Sequence, residues 1–128
     1  KMLRTVATII VIVLFFSIGS ISSYRFVEKS TQTAAVHIQV IQESIQSQKW
    51  QAAKNELEIV EKNWDKNGTW WSVILDHQEI DRIDLCIERL EKFIDSQDRA
   101  LAQGEASSLK LLFEFIRDNE KFNLKNIL

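Results

Sequence analysis

Two polar side chains in the middle of the chain have the spacing of residues that could act together in catalysis or metal binding. His77 and Asp81 are four residues apart, so on a helix they share one face. Such a pair could act as a general base or supply two metal ligands, and Asp84 follows less than one turn later. A metal-dependent hydrolase built on these three residues is one hypothesis for the chain. The favoured alternative is a structural histidine that hydrogen-bonds Asp81 or a neighbouring helix, because His77 borders apolar Ile80.

Other signatures of catalysis or cofactor binding are missing from the sequence. A carboxylate-bridged pair of metal ions requires Glu three residues before His, whereas Ala34 and Ile74 hold those positions before His37 and His77. The chain has no glycine-rich phosphate loop and no G-x-S-x-G motif. The lone Cys86 excludes an intrachain disulfide, and we expect it to be a partly buried, inert thiol. We therefore expect no enzymatic activity, no cofactor and no metal.

The composition indicates a small all-α protein. The chain has 128 residues, no proline and three glycines, which leaves too few turn residues for an architecture of many short strands. At this length a single modest hydrophobic core is expected. The formal net charge is −2, so the charge balance gives no reason to expect nucleic acid as a partner.

Residues 5–24 carry no formal charge, although the chain contains 16 basic and 18 acidic residues. About 20 residues that rise about 1.5 Å each cross a hydrocarbon layer of about 30 Å. We predict that residues 1–24 form an N-terminal membrane anchor (a signal-anchor) and that residues 25–128 form a separate domain outside the bilayer. The residues predicted to face lipid are Val6, Ile9, Ile10, Val13, Leu14, Phe15 and Phe16.

The charges on either side of this apolar run bear on its orientation. Lys1 and Arg4 precede it, and a short basic segment usually stays in the cytoplasm. Residues 30–128 contain 12 basic and 17 acidic residues, so their net charge of −5 suits a domain that stands away from an anionic membrane surface. We expect a single-pass protein of the cell membrane with a cytoplasmic N-terminus and an extracytoplasmic domain. The alternatives are a cleaved signal peptide and a buried core helix.

Apolar residues recur at helical spacing through the rest of the chain. The pattern predicts a helix that leaves the membrane, a second from Trp50 to Trp64, a long third one capped by Thr69, and a fourth over residues 107–121. The third carries a seam at alternating steps of three and four residues: Ile80, Ile83, Ile87, Leu90, Ile94, Gln97 and Leu101. The expected fold is all-α, with a single N-terminal transmembrane helix followed by an antiparallel bundle of three to four helices.

Two glycines lie between these predicted helices. Gly68, which follows Asn67, is expected to end the second helix in a left-handed conformation, and Gly104 is expected to mark the last turn. Residues 122–128 are unusually apolar for a chain end, so we expect them to fold back onto the bundle. No internal repeat is visible in the sequence.

Tryptophans concentrate where the chain is expected to return to the membrane. If the helices rise and descend as their lengths imply, Trp64, Trp70 and Trp71 lie near the bilayer surface, where indole rings are favoured. The alternative is that these rings close the lower end of the bundle core. At this turn we predict the partner-binding residues Trp70, Trp71, His77 and Asp81.

The order of these features resembles one protein family. A basic start and an apolar helix are followed by Trp50-x-x-Ala53-x-x-x-Leu57, Trp64, Trp70-Trp71, His77-x-x-x-Asp81-x-Ile83, Leu90 and the terminal Asn126-Ile127-Leu128. This order is similar to a family of small Gram-positive bacterial proteins called domain of unknown function 4363. The resemblance implies a membrane-anchored helical protein with no assigned activity and no catalytic residues. It also implies an association with a multi-pass membrane protein of another uncharacterised family.

The sequence therefore favours a non-enzymatic membrane protein whose extracytoplasmic bundle mediates protein–protein interaction, as an accessory subunit of a membrane complex. The expected partners are the lipid bilayer and an integral membrane protein, and a second copy of the chain is a further candidate. The alternative function is a ligand-sensing module that signals through a membrane partner, because only residues 1–4 precede the apolar run.

Overall fold

The computed structural model of the protein describes residues 1–127, which contain five α-helices and no strand. The helices are α1 (Met2–Gln46), α2 (Trp50–Lys66), α3 (Gly68–Ile74), α4 (His77–Asp95) and α5 (Arg99–Ile127). α1 packs against α2 and α5, and α4 packs against the same two helices. The prediction of an all-helical chain is confirmed.

α1 is one continuous helix of 45 residues with two different halves. Most side chains of the first half are exposed, those of Leu14 and Phe15 by 55% and 75%, whereas Ser20 and Ser23 are half-buried beside the end of α5. The second half buries a single stripe of residues, among them Ala34, Ile38, Ile41 and Ile45. Within residues 1–127, α1 is the one helix long and apolar enough to cross a membrane.

Two turns of the same form connect α1 to α2 and α4 to α5. Gln48 and Gln97 adopt left-handed backbone conformations, with φ of 57° and 56°. The amide of Lys49 donates to the Ser44 carbonyl at 2.8 Å, and the amide of Asp98 donates to the Phe93 carbonyl at 3.0 Å. These are the hydrogen bonds of a Schellman motif, which satisfies carbonyl groups at a helix end.

Each of these turns lies within a helical hairpin, α1–α2 or α4–α5, and the two hairpins have the same structure. This internal repeat was not predicted from the sequence. Eight buried positions in the first hairpin have a buried counterpart at a constant offset in the second (87 − 38 = 49 for Ile87 and Ile38). The pairs are Ala34 and Ile83, Ile38 and Ile87, Ile41 and Leu90, Ile45 and Ile94, Ala53 and Ala102, Leu57 and Ala106, Val60 and Leu109, and Trp64 and Phe113. The core is therefore built from two equivalent helix pairs, and α3 connects them.

Several predicted helix boundaries are wrong, and the local hydrogen bonds explain why. The expected long third helix is divided, because the Asp76 side chain caps α4 and Gln97 ends it. Leu101, the last residue of the predicted seam, lies on α5 and is 51% exposed. The next helix is α5, which begins at Arg99 and not at residue 107.

The second helix does end at Asn67-Gly68 as predicted, but the left-handed glycine expected there and the turn expected at Gly104 are wrong. None of the three glycines has a positive φ. Gly68 is the first residue of α3, where Asn67 is the N-cap, and Thr69 lies inside that helix. Gly104 lies within α5. Glutamine takes the left-handed position that glycine was expected to take.

The C-terminal segment continues α5 alongside the apolar half of α1. Glu120, Asn123 and Leu124 line a cavity of about 280 Å³ together with residues of α1 that include Phe16 and Ser20. The expectation that this segment folds back onto the bundle is therefore wrong for residues 122–127, since they extend beyond the repeated hairpins, and Leu128 lies outside the described residues.

Candidate functional site

The end of the bundle nearest the apolar half of α1 is formed by α3. Phe26, two residues beyond the charge-free run of α1, lies against both tryptophans of α3. Its ring centroid is 5.9 Å from that of Trp70 and 5.0 Å from that of Trp71. α3 therefore lies level with the first turn that follows the apolar run. We call this region the membrane-proximal end, after the membrane anchor predicted from the sequence: Phe26, α3 and the adjoining ends of α2 and α4.

Trp70 and Trp71 are adjacent in sequence but have opposite environments. The Trp71 side chain is only 2% exposed and stacks on Trp64, with ring centroids 5.2 Å apart. Trp70 is 58% exposed, and Val73 of the same short helix is 78% exposed. Trp71 therefore belongs to the core, while Trp70 and Val73 form an exposed apolar surface, which we call the α3 patch.

Trp64 connects the tryptophan pair to the second hairpin. Its indole Nε1–H donates a hydrogen bond of 2.7 Å to Asp84 Oδ1 on α4. Its ring also meets Phe113 of α5 edge-on, with centroids 5.8 Å apart. Asp84, which the sequence suggested as a metal ligand, thus accepts the hydrogen bond of a largely buried indole.

His77 and Asp81 are both exposed, and the expected hydrogen bond between them does not occur in the described structure. His77 is the first residue of α4, and its neighbours form a capping box. The Asp76 carboxylate accepts from the Glu79 amide at 2.9 Å, and the Glu79 carboxylate accepts from the Asp76 amide at 3.3 Å. The acidic residues beside His77 therefore begin a helix. The spacing Asp-x-x-Glu before an apolar seam was the sequence signal for this role.

A second histidine makes the contact that was expected of His77. His37 Nδ1 lies 2.7 Å from Glu56 Oε2, between α1 and α2. The equivalent pair in the second hairpin is Cys86 and Glu105, where the thiol lies 3.5 Å from the Glu105 carbonyl oxygen. Burial, together with the charge of Glu105, raises the pKa of Cys86 to about 12. The thiol is thus fully buried, more than the partial burial expected from the sequence, and its raised pKa disfavours the reactive thiolate.

Metal binding has no geometric support in the part of the chain that the structure describes. No three His, Cys, Asp or Glu side chains there lie close enough together to hold an ion. The hydrolase hypothesis on His77, Asp81 and Asp84 therefore lacks a ligand set.

A cavity of about 370 Å³ opens between α1 and α2 at the membrane-proximal end. Its lining residues are Phe26, Lys29, Ser30, Thr33, Ala34, Val60, Asn63, Trp64, Lys66, Asn67, Trp71 and Phe113. The only charged members of this set are Lys29 and Lys66, and neither forms a salt bridge within residues 1–127. This cavity was not predictable from local sequence patterns, because its residues come from four helices.

The face shared by α2 and α4 is acidic. The clearest effect of this charge is on Glu61. Partial burial raises the pKa of its carboxyl, and repulsion from Glu91 and Asp65 raises that pKa further. The charged form of Glu61 therefore destabilises the folded state.

Replacing this carboxylate removes an unfavourable charge, so we expect Glu61→Gln to increase the free energy of unfolding at pH 7. A carboxyl whose folded pKa is raised destabilises the fold above that pKa, and this effect disappears as the pH falls below the unfolded value near 4.5. The gain should therefore vanish near pH 4, which urea titrations at the two pH values would measure. Glu43→Gln, which changes an exposed carboxylate on α1, is the control; equal gains for both variants would contradict the assignment.

Comparison with known proteins adds one finding about the family. No curated protein and no solved structure matches the chain. One family profile, described as Domain of unknown function (DUF4363), matches residues 21–127. The match covers all of α2 to α5 and the second half of α1, which includes both hairpins, the α3 patch and the cavity. The chain therefore belongs to the DUF4363 family.

Proposed function

We propose that this protein is a non-enzymatic, single-pass membrane protein whose extracytoplasmic bundle binds an integral membrane protein through the membrane-proximal end. In this role it serves as an accessory subunit of a membrane complex. The α3 patch is the observation that carries the proposal, because Trp70 and Val73 are large apolar side chains left exposed beside the apolar half of α1.

The position of α3 supports this proposal. Within the repeat, α3 has no counterpart, since it only connects the first hairpin to the second. A connection could be made by polar residues alone, yet α3 exposes an indole and an isopropyl group. Tryptophan is enriched among the residues that dominate protein–protein interfaces, since its large rigid ring buries much apolar area at low entropy cost. A partner embedded in the same bilayer would meet this surface directly.

The orientation of the chain follows from its charges. Lys1 and Arg4 flank the start of the apolar run, and residues 30–128 carry a net charge of −5. By the positive-inside tendency, the N-terminus lies in the cytoplasm and the bundle lies on the other side of the cell membrane.

Affinity purification of the tagged full chain from detergent-solubilised native membranes tests the proposal. We expect a multi-pass membrane protein to co-purify with the unchanged chain, and its recovery to fall about tenfold or more in Trp70→Ala/Val73→Ala. Both residues are exposed, so the variant should keep its helical content. Trp71 is unsuitable for this purpose because its removal would disrupt the core.

The matched control is Val36→Ala/Leu101→Ala, which shortens two exposed apolar side chains elsewhere on the bundle. This variant should retain the partner. Equal recovery from both variants would exclude the α3 patch as the docking surface, and absence of any integral membrane protein would contradict the proposed role.

A ligand-sensing module is the second candidate function, and the cavity between α1 and α2 is the observation that favours it. Sensing requires that a soluble ligand fill this space, whereas the accessory role does not.

A further inference from the structure

We propose that the cavity between α1 and α2 binds the phosphate group of an anionic phospholipid from the outer leaflet, with Lys29 and Lys66 as the cationic contacts. This inference relies on the anchoring of α1 in the proposed function, but it does not depend on the protein partner.

The charge of the cavity is the first argument. The domain that follows the anchor is acidic, with 17 acidic and 12 basic residues in positions 30–128, yet the cavity lining includes two lysines and no carboxylate. Neither lysine forms a salt bridge with another described residue, so both ammonium groups are available to an anion. Two cations without counterions, held at one opening, favour a phosphate or another compact anion.

The remaining polar residues of the lining can hold such a group. Asn63 on α2 and Asn67 at its C-terminal end carry side-chain amides, and Ser30 on α1 carries a hydroxyl group. The Thr33 hydroxyl already donates to the Lys29 carbonyl at 2.9 Å, and one Asn67 amide N–H donates to the Asn63 carbonyl at 3.0 Å. These side chains lie on the same faces of α1 and α2 as the two lysines. The Ser30 hydroxyl, the Asn63 amide and the second Asn67 N–H therefore remain as neutral donors around the charged centre.

The depth of the cavity indicates where the phosphate comes from. Lys29 lies five residues beyond Tyr24, the last residue of the charge-free run, and five helical residues rise about 7.5 Å. The polar headgroup layer extends about 5–7 Å beyond the hydrocarbon on each side of a bilayer. A lysine side chain can span the small difference. The phosphates of the outer leaflet are therefore within reach of this residue.

The rest of the cavity suits a molecule that is apolar next to its charge. Phe26, Trp64, Trp71 and Phe113 contribute aromatic rings to the lining. Phe26 also lies against the exposed ring of Trp70. These two rings offer an apolar surface to the glycerol and upper acyl carbons of a lipid. A free phosphate would leave this surface unused, so a lipid is the favoured source.

Native mass spectrometry of the full chain in detergent tests the inference with phosphatidylglycerol as the probe and phosphatidylcholine as the zwitterionic reference. We expect the chain to retain one phosphatidylglycerol in preference to phosphatidylcholine. Lys29→Gln/Lys66→Gln should weaken the retention about tenfold or more, since charge-assisted hydrogen bonds are lost. Lys49→Gln/Lys62→Gln removes the same charge from exposed lysines outside the cavity and should bind as the unchanged chain does.

A second variant, Thr33→Trp, places a large ring at the cavity mouth without changing any charge, and it should also reduce retention. Equal lipid retention by the cavity and control lysine variants would overturn the inference. Binding of soluble glycerol 3-phosphate as strongly as the lipid would overturn the lipid source. If the cavity lysine variant loses the protein partner but retains the lipid, the cavity binds an acidic group of the partner and the inference is overturned. If no protein partner co-purifies at all, the preference for phosphatidylglycerol still stands as evidence for this inference.

Discussion

Replacing Trp71 by alanine should lower the free energy of unfolding by about 3–5 kcal/mol, the largest effect that we expect from a single substitution in this protein. The Trp71 ring is 2% exposed and lies between Trp64 and Phe26, with centroid distances of 5.2 Å and 5.0 Å. Its removal leaves a cavity where α1, α2 and α3 meet. Since small domains are stable by about 5–15 kcal/mol, this loss would remove a large share of the total.

The adjacent residue provides a matched control for this prediction. Trp70→Ala deletes the same side chain from an exposed position and should cost less than about 1 kcal/mol. Urea titration of the full chain in a non-ionic detergent, followed by circular dichroism, measures both values. Similar losses for the two variants would show that our division into a buried and an exposed tryptophan is incorrect.

These two residues also illustrate what the sequence could not decide. Both indoles were predicted to bind a partner, because a Trp-Trp pair carries no signal that separates core from surface. The separation arises from α3, whose first turn faces Phe26 on α1. That contact joins residues about 45 positions apart in the chain (71 − 26 = 45), and local pattern does not report it.

The amphipathic helices, in contrast, were predictable from spacing. The stripe from Ala34 to Ile45 and the helix from Trp50 to Trp64 follow the 3.6-residue period, because each buries one face in a shared core. The turns were not predictable in the same way. Gln48 and Gln97 take the left-handed conformation that usually selects glycine, so the glycine pattern missed both of these turns and placed a turn at Gly104, inside α5.

The internal repeat was hidden for a related reason. The two hairpins share the types of buried residues more than their identities, as with Leu57 and Ala106 or Val60 and Leu109. Identical residues are few, and they include Ser47-Gln48 and Ser96-Gln97 at the turns. Packing requires only a compatible volume at each core position, so the repeat is visible in the fold and weak in the sequence.

The proposed function depends on the anchor and on its orientation. α1 contains a charge-free run that is largely exposed and long enough for a bilayer, followed without a break by the stripe that packs into the bundle. Because the helix is continuous, the turn at Ser47 should lie about 35 Å beyond Tyr24, at the far end of the bundle from the membrane. That turn is exposed, so a reagent outside the cell should reach it.

Labelling of Ser47→Cys in intact cells with a membrane-impermeant maleimide tests whether the bundle lies outside the cell. The native Cys86 is an internal control, since it is 1% exposed and its pKa is raised to about 12, so it should stay unlabelled in the folded protein. We predict complete labelling of Ser47→Cys without opening the membrane, and recovery of the labelled chain in the membrane fraction. Labelling that occurs only after the cells are permeabilised would place the bundle in the cytoplasm and contradict the account.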